Sequence, residues 1–197
     1  EPLGSAKQPE VAVGRIERLD NFPSRFVESR PIDVWLPGDY SVAKRYAVLY
    51  MQDGEGLFDA DQTWNKQAWN VHLALSRLMK DGKVQDTIIV GIPNGGKHRY
   101  SEYFPEKYLA LAPQDVRSDY VSRAQWGKPL ADAYLRFLVE ELKPAIDQRY
   151  ATRREPEGTF VIGSSMGGMI SICSAAKHLG VFAQRVDGNH PTHAGAY

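Results

Sequence analysis

Five residues, Gly163-Ser164-Ser165-Met166-Gly167, form a G-x-S-x-G pattern, and the serine at its centre is a candidate nucleophile. A serine hydroxyl attacks a carbonyl only when it is exposed, has a base nearby and faces donors that hold the developing oxyanion. The pattern supplies the exposure and part of the cradle. It places the serine on a tight turn between a buried strand and a helix, where glycines are needed for close approach. Both neighbours are present here: TFVI (159–162) precedes the motif, and a helical stretch from Met166 to Leu179 follows it, ended by Gly180. Ser165 is thus the expected nucleophile, and the Met166 amide, at the start of that helix, the first oxyanion donor. Ser164 occupies an x position and is expected to point elsewhere. A second donor should come from the loop after the apolar run YAVLYM (46–51), which reads Gln52-Asp53-Gly54-Glu55-Gly56. That loop fits both an oxyanion turn, because its glycines let the backbone come close to a substrate, and a simple Asp-Gly turn.

The elements that must position these residues alternate. Residues 11–19 and 25–36 read as two strands, joined by the turn-rich NFPS, and suit an antiparallel pair at a sheet edge. Continuous apolar runs at 46–51, 87–92 and 159–162 suit strands covered on both faces. Between them, 67–80 and 130–142 carry apolar residues near helical spacing, the first through Trp69, Leu73, Leu75 and Leu78. Pro144 should kink or restart the second of these helices. Residues 93–128 show no such period and read as a long irregular loop beside the site. Strand–helix alternation implies an α/β fold, a mostly parallel sheet with helices on both faces. Residues 1–10 lack an apolar core and are set apart as a flexible N-terminus or tag remnant, leaving 11–197 as one domain.

Composition narrows the partners. Lys plus Arg and Asp plus Glu number 24 each, so there is no net charge to build a broad nucleic-acid footprint or a polybasic membrane anchor. No apolar run is long enough to suggest a membrane span. The single cysteine, Cys173, rules out an internal disulfide and a Cys-based zinc site. No metal or organic cofactor is implied. Compartment and substrate identity are not legible from these residues. Trp64, Trp69, Trp126, Tyr100, Tyr103 and Phe104 are candidates for an acyl pocket, and equally for core or surface positions.

Five segments together carry a family resemblance: IDVWLP (32–37), VLYMQDGEGLFD (48–59), VGIPNGGKHRYSEY (90–103), ELKPAIDQRYAT (141–152) and FVIGSSMGG (160–168). In that order the chain resembles the esterase family of α/β-hydrolases that includes esterase D, siderophore esterases, feruloyl esterases and the antigen 85 acyltransferases. The resemblance implies Ser165 as nucleophile, the backbone amides of Met166 and Glu55 as the oxyanion hole, and a small-molecule ester as substrate. It also places Arg99 and Glu102 in an R-x-x-E-Y element beside the site. Local sequence alone reads these two as an exposed ion pair.

The same family orders its triad as Ser, then Asp or Glu, then His, with further strands between them. Here the sequence ends at Tyr197, soon after Ser165, so the usual C-terminal strands are expected to be lacking. Of the five histidines, His72, His98 and His178 read as helix or loop residues. The helix after Ser165 carries the chain about 20 Å away at about 1.5 Å per residue. A returning strand, at about 3.3 Å per residue, brings His190 and His193 back within reach of the site. His193 is therefore the candidate base in the tail, although the resemblance assigns it to a loop beside the site. Asp187 reads as structural. A chain without its last strands would expose a sheet edge, and a homo-oligomer covering that edge is expected. An ester hydrolase is the first reading. An acyltransferase with the same residues, or a catalytically dead scaffold with a binding role, is the alternative.

Overall fold

The computed structural model describes residues 7–63 and 65–183. Among these residues five strands form one sheet in the order β1-β2-β4-β3-β5: β1 (Arg15–Phe22), β2 (Arg30–Leu36), β3 (Ala47–Gln52), β4 (Thr87–Ile92) and β5 (Thr159–Ile162). β3, β4 and β5 run parallel, and β1 and β2 are antiparallel neighbours at one side, in the register Arg15↔Leu36 to Leu19↔Ile32. Among the described residues seven α-helices accompany them: α1 (Val71–Lys80), α2 (Arg99–Tyr103), α3 (Glu106–Leu109), α4 (Gln114–Ala124), α5 (Ala131–Arg136), α6 (Lys143–Arg149) and α7 (Met166–Lys177).

The two faces of the sheet follow from the period-2 geometry of a strand. Val34, Val48, Tyr50, Ile88 and Val90 point to one side, where they meet Tyr134, Leu138 and Ile146 of the α5–α6 arm and Ile170 of α7. Trp35, Met51 and Ile89 point to the other, under α1. Every residue of β2 and β4 is buried, which is why β4 reads as an apolar run without alternation; β2 also buries the charged Arg30 and Asp33.

Two sequence expectations are corrected and a third is refined. The first helix starts at Val71, after Asn70 in a left-handed conformation, and not at residue 67. Its packed stripe is Val71, Leu75 and Met79 with buried His72, at i, i+4 and i+8. Trp69, Leu73 and Leu78 are instead more than a third exposed. Residues 93–128 are not an irregular loop but contain α2, α3 and α4. The short helices give too few turns for a period, and α4 buries none of its residues, so no apolar stripe marks it. Pro144 does interrupt its helix, by a specific device. A π-helical turn at Phe137–Leu142 joins α5 to α6, and Pro144 sits in the first turn of α6. The widened turn accommodates the proline ring and its missing N–H.

β5 pairs with β3 and is the outer strand among the described residues. Ile162 and, on α7, Ile172 are 47% and 74% exposed. Self-association over this side remains a proposal, with these two side chains as the apolar surface it would cover. No helix among the described residues is long and apolar enough to cross a membrane.

Candidate active site

β5 ends at Ile162 and α7 starts at Met166, so three residues, Gly163 to Ser165, turn the chain through the strand–helix junction. Ser165 has φ 54° and ψ −122°, a conformation that costs a residue with a side chain about 1–3 kcal/mol. The turn is tight enough to exclude Cβ atoms. One on Gly163 would lie 2.4 Å from the Gly167 carbonyl carbon, and one on Gly167 would lie 3.0 Å from Gln52 Cβ and 3.1 Å from Asp53 Oδ2. The glycines therefore let the turn press against the end of β3. Ser165 directly precedes α7, whose first amides, Met166 among them, have no partner earlier in the helix. Met169 N–H donates to the Ser165 carbonyl at 3.1 Å, closing the first helical turn.

The loop after β3 forms the facing wall. Asp53 is left-handed (φ 53°), and Gly54 to Gly56 make one 3₁₀ turn held by Gly56 N–H to Asp53 O (3.0 Å) and Leu57 N–H to Gly54 O (3.3 Å). Gly54 abuts β4: a Cβ there would lie 2.4 Å from Ile92 N. A cleft of about 680 Å³ opens between the two walls, lined by Ser165, Asp53, Glu55, Asn94, Arg99 and Trp69 among others. Ser164 lines the same cleft and is exposed, contrary to the expectation that it points elsewhere. A larger hollow of about 800 Å³, lined by Arg45, Arg149, Arg153 and Arg154, contains neither serine.

A polar network braces the Glu55 wall. Arg99 donates from Nε and Nη2 to the two Asp53 carboxylate oxygens at 2.7 and 2.9 Å. Asn94 Nδ2 donates to Asp53 Oδ1 (2.8 Å) and to Glu55 Oε1 (2.5 Å), and Asn94 N–H donates to Glu55 Oε2 (3.3 Å). The Asp53 amide donates to the Tyr103 hydroxyl at 3.2 Å. Hydrogen bonds to Asp53 raise the Arg99 pKa above its ordinary value. Burial raises that of Glu55, and the Asp53 charge adds to the effect.

The R-x-x-E-Y element is thus not an exposed ion pair. Arg99 faces Asp53, while Glu102 is buried and receives Arg30 Nη2 at 2.5 Å and Nη1 at 2.9 Å. Arg30, fully buried, also donates to the carbonyls of Glu28 and Pro93. Arg30, Asp53 and Asn94 carried no role in the sequence reading. The available signal for Arg30 was a charge at the start of strand RPIDVWL, which carries a second charge at Asp33.

Among the aromatics singled out from sequence, Trp69 lines the cleft. Tyr103 is a core residue, Phe104 packs on Tyr120, and Trp126 is 63% exposed under Lys97. Trp64 lies outside the described residues. His72 is buried between Trp35 and Phe58, His98 lies 3.8 Å from Glu28, and His178 follows α7. None of these three lines the cleft. Asp187, His190 and His193 lie outside the described residues. Among the described residues, no group of three or more His, Cys, Asp or Glu side chains is placed to hold a metal ion.

The sheet order, the parallel β3–β5 core and the strand–turn–helix at Ser165 define an α/β protein of hydrolase type. Residues 24–186 match the family described as "Putative esterase", and the chain belongs to that family. It is 25% identical over 170 residues to the Bacillus subtilis protein named "Uncharacterized protein YjcH", covering 86% of this chain and 59% of that one. It is also 25% identical to an endo-1,4-beta-xylanase/feruloyl esterase from Xylanibacter ruminicola, covering 83% of this chain and 20% of the relative. The chain thus spans little more than half, or less, of the length of these relatives. Among solved structures it is similar to the ferulic acid esterase of Anaeromyces mucronatus (TM-score 0.58, 21% identity, 90% of this chain and 58% of that chain). It also resembles an IroE-like serine hydrolase from Shewanella oneidensis (TM-score 0.61, 23% identity, 85% and 48%). These structural likenesses concern the fold.

Proposed function

We propose that this chain acts as a carboxylic-ester hydrolase, with Ser165 as nucleophile. One observation carries the reading: Ser165 is held at positive φ on the strand–helix turn, across a cleft from the Glu55 turn. In this mechanism Ser165 Oγ attacks the acyl carbonyl, and the amides of Met166 and Glu55 stabilise the tetrahedral oxyanion. His193 accepts the hydroxyl proton and returns it to the departing alcohol. Water then attacks the acyl-enzyme, using the same base, and releases the acid. No cofactor is required for these steps.

The substrate is proposed to be a small ester. The feruloyl esterase names among the relatives support feruloyl esters as the first to try, and Trp69 in the cleft offers an aromatic acyl group a face to pack on. The test is hydrolysis of p-nitrophenyl acetate and methyl ferulate by the parent chain, Ser165→Ala, Ser164→Ala and His193→Ala. The reading expects turnover to be lost in Ser165→Ala and His193→Ala but kept in Ser164→Ala. Turnover by Ser165→Ala at the parent rate would end it, and loss in Ser164→Ala alone would move the nucleophile by one residue.

A further inference from the structure

We propose that the Glu55 side chain, pinned by Asn94, is a positioning residue that fixes the turn bearing the Glu55 amide. The inference rests on the ester hydrolase reading above.

An oxyanion donor acts only if it is already aimed, because reorganisation during the reaction costs the stabilisation it offers. The turn at Gly54–Gly56 is poorly equipped to stay aimed by itself. It is one 3₁₀ turn long, flanked by glycines, and closed by backbone hydrogen bonds of 3.0 and 3.3 Å. Glycines leave the backbone the most freedom of any residue. The Glu55 carboxylate offsets this by bridging to the loop after the neighbouring strand. Its Oε1 receives Asn94 Nδ2, and its Oε2 receives the Asn94 backbone amide. The turn after β3 is thereby tied to the chain leaving β4.

Asn94 is itself fixed. The second Nδ2 contact goes to Asp53 Oδ1, and Asn94 Oδ1 accepts the Gly96 amide at 2.9 Å. Asp53 is in turn held by the bidentate Arg99. The chain Arg99–Asp53–Asn94–Glu55 therefore braces the start and the middle of the turn. The charged groups facing the Glu55 carboxyl are Asp53 and Arg99, and burial disfavours its ionised form. The contribution of Glu55 is geometric, carried by acceptance at both carboxyl oxygens; glutamine keeps one acceptor but turns its amide nitrogen toward an Asn94 N–H, so it should restore only part of the clamp.

The experiment compares the full chain with Glu55→Ala, Glu55→Gln and Asn94→Ala by two readouts. Amide hydrogen exchange at Gly56 and Leu57 reports the turn directly. Exchange there should accelerate at least about tenfold in Glu55→Ala and Asn94→Ala, and by less in Glu55→Gln, which keeps one of the two acceptors. Hydrolysis of p-nitrophenyl acetate should show kcat down about tenfold in the same two variants with KM within about threefold, and partial recovery in Glu55→Gln. Unchanged exchange in Glu55→Ala and Asn94→Ala, or a Glu55→Gln variant as impaired as Glu55→Ala, would overturn the clamp. Exchange is measured without turnover, so the clamp is decided even if Ser165→Ala shows that the hydrolase reading fails.

Discussion

Replacing Glu102 by alanine removes one half of a fully buried ion pair. Arg30 and Glu102 side chains are 0% and 1% exposed, and two hydrogen bonds of 2.5 and 2.9 Å join them. The Arg30 guanidinium also lies 5.9 and 5.6 Å from the ring centroids of Tyr134 and Phe137. Without Glu102 it would keep the carbonyls of Glu28 and Pro93 but no counter-charge. Breaking one partner out of such a pair costs about 3–5 kcal/mol, because the other charge stays buried. Domains of this size have total stabilities of about 5–15 kcal/mol, so the loss is a large share. At about 2–4 °C per kcal/mol the midpoint should fall by about 6–20 °C. Urea unfolding followed by tryptophan fluorescence checks the free energy, and calorimetry checks the midpoint. The double variant Arg30→Met/Glu102→Leu removes both charges and should recover part of the loss. A Glu102→Ala stability within about 1 kcal/mol of the parent would refute the account of the pair. A double variant less stable than either single one would refute the desolvation argument. The pair also ties α2, which carries Arg99, to β2, so a weakened Arg99–Asp53 contact should accompany the loss.

Two further outcomes follow from the same structure. Burial lowers the His72 pKa below 6.5, so the unfolded chain takes up the proton first as pH falls. His72 thus contributes stability that is full above pH 6.5 and is lost as pH falls through the lower folded-state pKa. Urea midpoints at pH 7.5 and 5.5 should therefore separate less in His72→Phe than in the parent, and equal separation would remove His72 as the cause. Gly163→Ala would put Cβ 2.4 Å from Gly167 C and 2.5 Å from Gly167 O. The start of α7 must then shift, at a cost of about 1–3 kcal/mol, and ester hydrolysis should fall by at least about tenfold. Parent-like kcat in Gly163→Ala would show that the turn tolerates a wider spacing.

Sequence pattern was most informative where one physical constraint acted alone. β3 and β4 were legible because strands covered on both faces must be apolar throughout, and the strand–helix turn at Ser165 because strand, glycines and helix coincide within a few residues. The α1 face was misread because Leu73 and Leu78 imitate a stripe, while the packed line runs through Val71, His72, Leu75 and Met79. A histidine counted as polar hides such a face. α4 was invisible because a helix that buries nothing has no pattern to show. The network at the site was illegible for a different reason. Asp53 lies on one segment and Asn94 and Arg99 on another, and nothing local to any of them says which partner the fold will supply. Glu102 shows the same limit, since its partner, Arg30, lies in a distant strand and not in its own helix. His193 and Asp187 belong to a stretch outside the described residues, and their roles stay proposals.

The central claim is that Ser165 is the nucleophile, and covalent labelling tests it without requiring a known substrate. The chain is incubated with a fluorophosphonate, digested, and mapped by tandem mass spectrometry, beside Ser165→Ala and a heat-unfolded control. The account predicts one adduct, on Ser165, in the folded parent only, and none in Ser165→Ala. An adduct on Ser164, or equal labelling of the parent and Ser165→Ala, would contradict it.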